Sequence, residues 1–261
     1  MNVEMWIRAL KAARAGADVS QEGLAALIKW SPSTVAAIET GRRRPTMEFA
    51  VAADQALGTG GLLAELLQAA DRQRLPSWFV PWRTHEQQAT RLCEFEPCLV
   101  PGLLQTEDYA RAVISAGGLH SAATVAELVA VRMERQQLLH RDEPPLCVFV
   151  LDENALRRPI GGPAVLDAQL GRLLDLAALP SVRLHVISLD VGAHVGLIGG
   201  FLLAELPDGE RVTYVEDVAR GHVIDDPEVV RLIDRKWDSL LGEALSTSAS
   251  LDLLRKLKVT P

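Results

Sequence analysis

The stretch VSQEGLAALIKWSPSTVAAIETGRRRPT, residues 19–46, decides how the chain is read. Two short apolar-periodic segments flank a turn. Ser20 stands ahead of the first, where a side-chain oxygen can cap the free amides of a helix. Ser31 stands ahead of the second, and Pro32 follows at its first position, where the missing N–H costs nothing. Gly41 closes the second segment as a residue that tolerates the left-handed conformation. Leu24, Ile28, Trp30, Val35 and Ile38 are spaced to join both segments to one core, and small Ala25 sits midway in the first. Arg42, Arg43 and Arg44 come next.

Working outward, residues 4–70 read as five short helices. Trp6, Leu10 and Ala13 recur at helical spacing in the first. Thr46 caps a fourth that runs to Leu57, glycines at 58, 60 and 61 break it, and residues 62–70 form the fifth. Residues 73–84, QRLPSWFVPWRT, hold two prolines and three aromatics and read as a linker. The pattern then becomes mixed. Thr106 caps a helix with Glu107 and Asp108 in its first turn, and residues 125–140 make a long amphipathic helix. Residues 145–152, PLCVFVLD, read as a buried strand and residues 182–189 as another, with a helix over 165–179 between them. Two strands flank Asp208–Gly209, a strong hairpin signal, and helices over 227–245 and from about 246 to 258 close the chain. The expected fold is α+β overall. A five-helix helix-turn-helix domain over 1–72 precedes a larger α+β domain over 73–261, with a small mixed or antiparallel sheet of about four strands flanked by helices.

A helix-turn-helix needs two closely packed helices, a capped second helix whose first turn can enter a major groove, and phosphate donors on either side. The quoted stretch meets each need. In register it resembles the Cro/C1-repressor (xenobiotic-response-element-like) family, through Ser20-Gln21-Glu22, Leu24-Ala25, Ser31, Ser33-Thr34-Val35, Ile38-Glu39, Gly41, Arg43 and Pro45. The resemblance covers residues 4–60 and implies binding to double-stranded DNA. Pro32, Ser33, Thr34 and Ala37 would face the bases, with Ser31 starting the helix that enters the groove. Gln21, Arg42, Arg43 and Arg44 would hold the backbone. Three positions depart from the family. Gly23 replaces a glutamate and loses the reciprocal capping box. Lys29 replaces the turn glycine, so either a lysine is left-handed or the turn differs. Ala37 replaces a long polar residue, which leaves little direct base readout. One such unit reads few base pairs, so a homodimer on a two-fold site is expected.

The remainder resembles the large, antitoxin-like domain that follows this motif in many actinobacterial regulators. The segments that carry it are EPCLVPGLLQTEDYARAV, VRMERQQLL, LDENALRRPIGG and GGFLLAEL with VTYVED. That resemblance implies a domain that dimerises and receives an effector or a small protein encoded by a neighbouring gene. The alternative it leaves is an interaction protein that mainly sequesters that partner.

An enzyme is not expected. No G-x-S-x-G elbow occurs, and the glycine runs at 161–163 and 196–200 lack the lysine and spacing of a phosphate cradle. His185, His194 and His222 form no recognisable ligand set. The order of elements around His194 resembles one half of a phospholipase D-like domain. That chemistry needs His-x-Lys, however, and the chain reads His194-Val195-Gly196. Glu216, Asp217, Asp225 and Asp226 read as solvated strand-end and cap carboxylates. Neither a metal nor a cofactor is expected.

The net charge of −7 excludes a whole-surface nucleic-acid binder. Residues 1–75 hold nine basic and eight acidic side chains, against eighteen and twenty-six in the rest, so any DNA contact belongs to a local basic patch. Cys93, Cys98 and Cys147 fit a reducing compartment. No signal peptide or membrane-length apolar run is seen, and a cytoplasmic location is expected.

Overall fold

The computed structural model describes residues 3–72, 76 and 78–259. The chain divides into two compact units, Met1–Ser77 and Trp78–Pro261.

The first unit consists of α1 (Val3–Gly16), α2 (Gln21–Ile28), α3 (Pro32–Glu39), α4 (Met47–Leu57) and α5 (Leu62–Arg72). Ser20, Ser31 and Thr46 accept the backbone N–H groups of Gly23, Thr34 and Phe49, the reciprocal of their lack of a helical partner. One face of every helix meets a core of Trp6, Leu10, Leu24, Ala25, Val35, Ile38, Phe49, Leu63 and Leu67. Burying so much apolar surface stabilises the bundle by about 25 cal/mol per Å² removed from water. Polar groups pin it. The Trp6 indole N–H donates to the Leu63 carbonyl at 2.6 Å. The Asp54 carboxylate accepts the N–H groups of Leu63 and Ala64, both at 2.8 Å, and so caps α5 from the preceding helix.

The second unit runs α6 (Phe79–Gln88), β1 (Arg91–Glu96), α7 (Glu107–Ser115), α8 (Ala122–Arg135), β2 (Leu146–Asp152), α9 (Glu153–Arg157), α10 (Pro163–Leu176), β3 (Val182–Ile187), β4 (Phe201–Glu205), β5 (Arg211–Glu216), β6 (Gly221–Ile224), α11 (Pro227–Glu243) and α12 (Thr247–Val259). The strands form one mixed sheet in the order β3-β2-β1-β4-β5-β6. β1, β2 and β3 are parallel, and β4, β5 and β6 join antiparallel. Side chains alternate between two faces. One face packs Leu92, Phe149, Leu151, Leu184 and Tyr214 against Trp82, Tyr109, Leu173 and Leu254 of α6, α7, α10 and α12. The other packs Cys93, Phe95, Val150, Phe201 and Leu203 against Ile233, Trp237 and Leu240 of α11.

The α+β class and the mixed sheet flanked by helices agree with the sequence reading; three details do not. The sheet has six strands rather than about four, because β1 and β6 were not anticipated. Of the expected linker, residues 73–75 and 77 lie outside the described residues. Its second half is helical, since Phe79 opens α6 and Trp82 is fully buried against Tyr214, ring centroids 5.4 Å apart. The helix expected over 125–140 is α-helical only to Arg135, and Gln136–His140 tighten into a 3-10 turn. There the buried Gln136 amide donates to the carbonyls of Gly102 and Gln105, at 3.2 and 2.7 Å.

Candidate nucleic-acid interface

α2 and α3 are joined by a turn in which Lys29 is left-handed, with φ 60° and ψ 39°. The Trp30 N–H reaches the Ala25 carbonyl at 2.9 Å and closes the helix end. The turn therefore keeps the shape glycine would give it, at a cost of about 1–2 kcal/mol for a residue with a Cβ.

At the start of α3, the Ser31 hydroxyl accepts the Thr34 N–H at 3.2 Å. It also lies 2.8 Å from Thr34 Oγ1 and 3.0 Å from Ser33 Oγ. Arg43 folds back over this cluster. Its backbone N–H donates to the Ala37 carbonyl at 3.0 Å and its guanidinium donates to Thr34 Oγ1 at 3.4 Å. Arg42 donates to Thr40 Oγ1 at 3.3 Å. Ser31, Pro32, Ser33, Arg42 and Arg43 are exposed, while Thr34, Ala37 and Arg44 are half-buried. The structure thus brings the expected groove-facing hydroxyls and Arg43 together around the N-terminus of α3, while Arg42 lies against Thr40 at the other end of the helix.

Gln21 is placed differently from the rest. Its amide nitrogen donates to Glu39 Oε2 at 2.7 Å. Glu39 also accepts two bonds from the Arg14 guanidinium, at 2.8 and 3.1 Å. An amide nitrogen carries two hydrogens, so one remains for an outside oxygen. Burial by itself raises the Glu39 carboxyl. The hydrogen bonds from Arg14 and Gln21, with the Arg14 charge, outweigh it and hold the carboxyl below its ordinary range. The same hydrogen bond raises Arg14. This cluster ties α1, α2 and α3 together. Its Gln21 and Glu39 register matches were visible in the sequence, but nothing local points Arg14 toward a residue 25 positions away.

In the second unit His185, His194 and His222 do not converge. His185 Nδ1 lies 3.0 Å from the Leu245 carbonyl. His222 Nε2 lies 3.0 Å from Asp217 Oδ2. They sit on β3 and β6, the opposite edges of a six-stranded sheet, roughly 24 Å apart at ordinary strand spacing. His194 Nε2 lies 2.9 Å from Asp152 Oδ2, its Nδ1 accepts the Gly196 N–H at 3.2 Å, and its side chain is 1% exposed. That pattern fixes one tautomer and fastens the 189–199 loop. Asp217 accepts the N–H groups of Ala219 and Arg220, which with His222 hold it down to about 2. Asp226 caps α11. Among the described residues no three His, Cys, Asp or Glu side chains gather as metal ligands, and no helix is long and apolar enough to cross a membrane.

Comparison with known proteins divides the chain in the same way. The family described as "Helix-turn-helix domain" matches residues 8–67. The family described as "Domain of unknown function (DUF5753)" matches residues 81–256. No curated protein matches the chain, and no solved structure does. Since the second match spans well over half of its length, the chain belongs to the DUF5753 family, with a helix-turn-helix domain at its N-terminus.

Proposed function

We propose that the protein is a Cro/C1-type DNA-binding transcriptional regulator of the cytoplasm. Residues 1–72 bind double-stranded DNA. Residues 73–261 dimerise the chain and receive a signal, from a small protein or an effector. The observation that carries this reading is the exposed first turn of α3, capped by Ser31 and flanked by Arg43. The Ser33 N–H and the positive end of the helix dipole meet phosphate there, and Arg43 extends the same surface. Ser33 and Thr34 are the hydrogen-bonding groups nearest the bases. Ala37 offers a methyl contact to thymine, so DNA shape carries much of the sequence choice.

The test is a salt titration of the full chain on the DNA upstream of its own gene. Affinity should fall steeply with salt. Arg43→Ala should reduce the log–log slope by about one, the signature of one lost phosphate contact. An unchanged slope would remove Arg43 from the interface. Absence of binding at low salt would favour sequestration of a partner as the main activity.

A further inference from the structure

β1 sends Leu92, Glu94 and Glu96 to the face of the sheet that packs against α6 and α7. Glu94 stands beside Phe149 of β2 and Leu202 of β4, and Glu96 beside Leu151. On the β4 side of Glu96 comes Gly200, where an added Cβ would lie 3.1 Å from Glu96 Oε2. The β4–β5 register sets Gly200 opposite Glu216, which pairs in turn with Gly221. Glu96 and Glu216 therefore flank a residue with no side chain to part them. Exposure falls inward along this path. Glu216 is exposed, Glu96 half-buried and Glu94 6% exposed.

Glu94 and Glu96 make no hydrogen bond or ion pair among the described residues. The Glu94 oxygens are nevertheless open to water, unlike the sealed and unpartnered indole nitrogens of Trp82 and Trp237. On α8, half-buried Arg132 donates from Nη1 to Gln105 Oε1 at 2.9 Å and forms no ion pair among the described residues. Burial first and Arg135 second bring Arg132 down to about 10, against the pull of Glu216, Glu94 and Glu96, so all three carboxylates lie near enough to act on it. Arg135 itself is spent on Glu86, at 2.5 and 3.1 Å. Tyr109 of α7 adds a phenol that burial raises, and so no charge. A guanidinium and three carboxylates thus surround one crevice without bonding to one another. Buried polar groups are ordinarily satisfied, so an open carboxyl at this depth marks a place for a donor.

We propose that this crevice binds a short linear diammonium ion. Its inner ammonium donates to Glu94 and Glu96, its outer ammonium donates to Glu216, and its methylene chain lies over Gly200. Charge sets the class. Three carboxylates against the one unpaired guanidinium of Arg132 leave two negative charges when all are ionised. A single ammonium answers one of them, and an anion meets only Arg132. A metal ion fits less well, since no three carboxylates gather as its ligands among the described residues. Length follows from the strand. Glu94 and Glu96 are one same-face step apart, roughly 7 Å, which suits a chain of a few methylenes. The site stands apart from DNA binding. Only its use as a regulatory signal rests on the function proposed above.

The experiment uses the full-length protein without DNA, so its outcome is read separately from the proposed regulation. Diaminopropane, diaminobutane and diaminohexane are added separately at millimolar concentration. Butylamine controls for a single ammonium, and magnesium chloride for double charge alone. The melting temperature and the heat of titration are followed. At saturation one diamine should raise the melting temperature by about 2–4 °C, and neither control should. Burial above all raises Glu94 to about 8 and Glu96 to about 7 in the free protein, so the ligand must draw their protons off. Binding should therefore release protons, and be about tenfold or more tighter at pH 8 than at pH 6. Glu94→Gln keeps the shape and removes the charge, and should weaken binding about tenfold or more, as should Glu216→Gln. The melting of each unliganded variant reports that it is folded. No shift with any diamine overturns the proposal. So does magnesium that matches the best diamine, a diamine that binds Glu94→Gln as tightly as the parent, or an affinity that is the same at pH 6 and pH 8.

Discussion

Lys29 shows how much one residue can store. A left-handed lysine at φ 60° crowds its own Cβ against the following carbonyl. Lys29→Gly removes that contact and returns some backbone freedom to the unfolded chain. The first effect is the larger, so the variant should be more stable by about 0.5–1 kcal/mol in urea denaturation. A loss of stability would mean that the lysine side chain holds the turn in a way its geometry does not show. Glu39 carries the opposite kind of effect. Its carboxyl is held below the ordinary range, so its contribution is fully present above the unfolded value of about 4.3. That contribution is lost as pH falls through the lower folded value. Glu39→Gln keeps the shape and abolishes the charge, leaving Arg14 half-answered. It should destabilise the first unit by about 2–4 kcal/mol at neutral pH and remove its share of the acid-side transition, read by circular dichroism against pH. An acid transition unaltered by Glu39→Gln would assign it to other carboxylates.

At the scale of elements, β1 is one of the two strands that reading the sequence missed, and the one the sheet is built around. Its residues, RLCEFE, place Glu94 and Glu96 at alternate positions, which reads as a polar face turned to water. In the structure that face meets α6, α7 and α8, and Glu94 is only 6% exposed. Burial first, and the neighbouring Glu96 charge second, push the Glu94 carboxyl up to about 8. Burial likewise raises Glu96, to about 7. An acid that binds its proton more tightly when folded gives stability that is complete below the unfolded value and lost as pH rises toward the folded one. The second unit should therefore weaken between about pH 4.3 and 8. Glu94→Gln should flatten that slope and raise the melting temperature at pH 8; an unchanged slope would show that Glu94 titrates normally. The helix-turn-helix elements were legible for the opposite reason. Caps at Ser20, Ser31 and Thr46 and the glycine at 41 are local signals, and each appears where the sequence put it. The hairpin at Asp208–Gly209 is local too, with Gly209 at φ 85°. β1, the buried Trp82 and the Arg14–Glu39–Gln21 cluster depend on partners far along the chain, which a periodicity does not carry.

At the scale of the whole molecule, the two units have different electrostatic tasks. The excess of acidic groups lies beyond residue 75, and the exposed arginines beside α3 lie before it. A phosphate backbone is attracted only locally and repelled elsewhere, so the chain should not coat DNA as a basic protein does. One reading helix with a serine, a threonine and an alanine at its groove-facing positions supplies little discrimination by itself. Under the proposed function, selectivity then comes from joining two such helices at a fixed separation through residues 73–261. Two heads on one face of the duplex need half-sites about 10–10.5 base pairs apart, or a multiple of that. Inserting about five base pairs between the half-sites turns the second to the opposite face, and affinity should fall at least about tenfold. Inserting a full turn should restore part of it. Sedimentation on the same duplexes should count two protomers on the native spacing and one, weakly held, on the half-turn insertion. Equal affinity for all three duplexes, or for a single half-site, would mean that each chain reads DNA alone. The second unit would then have a task other than setting the distance between heads.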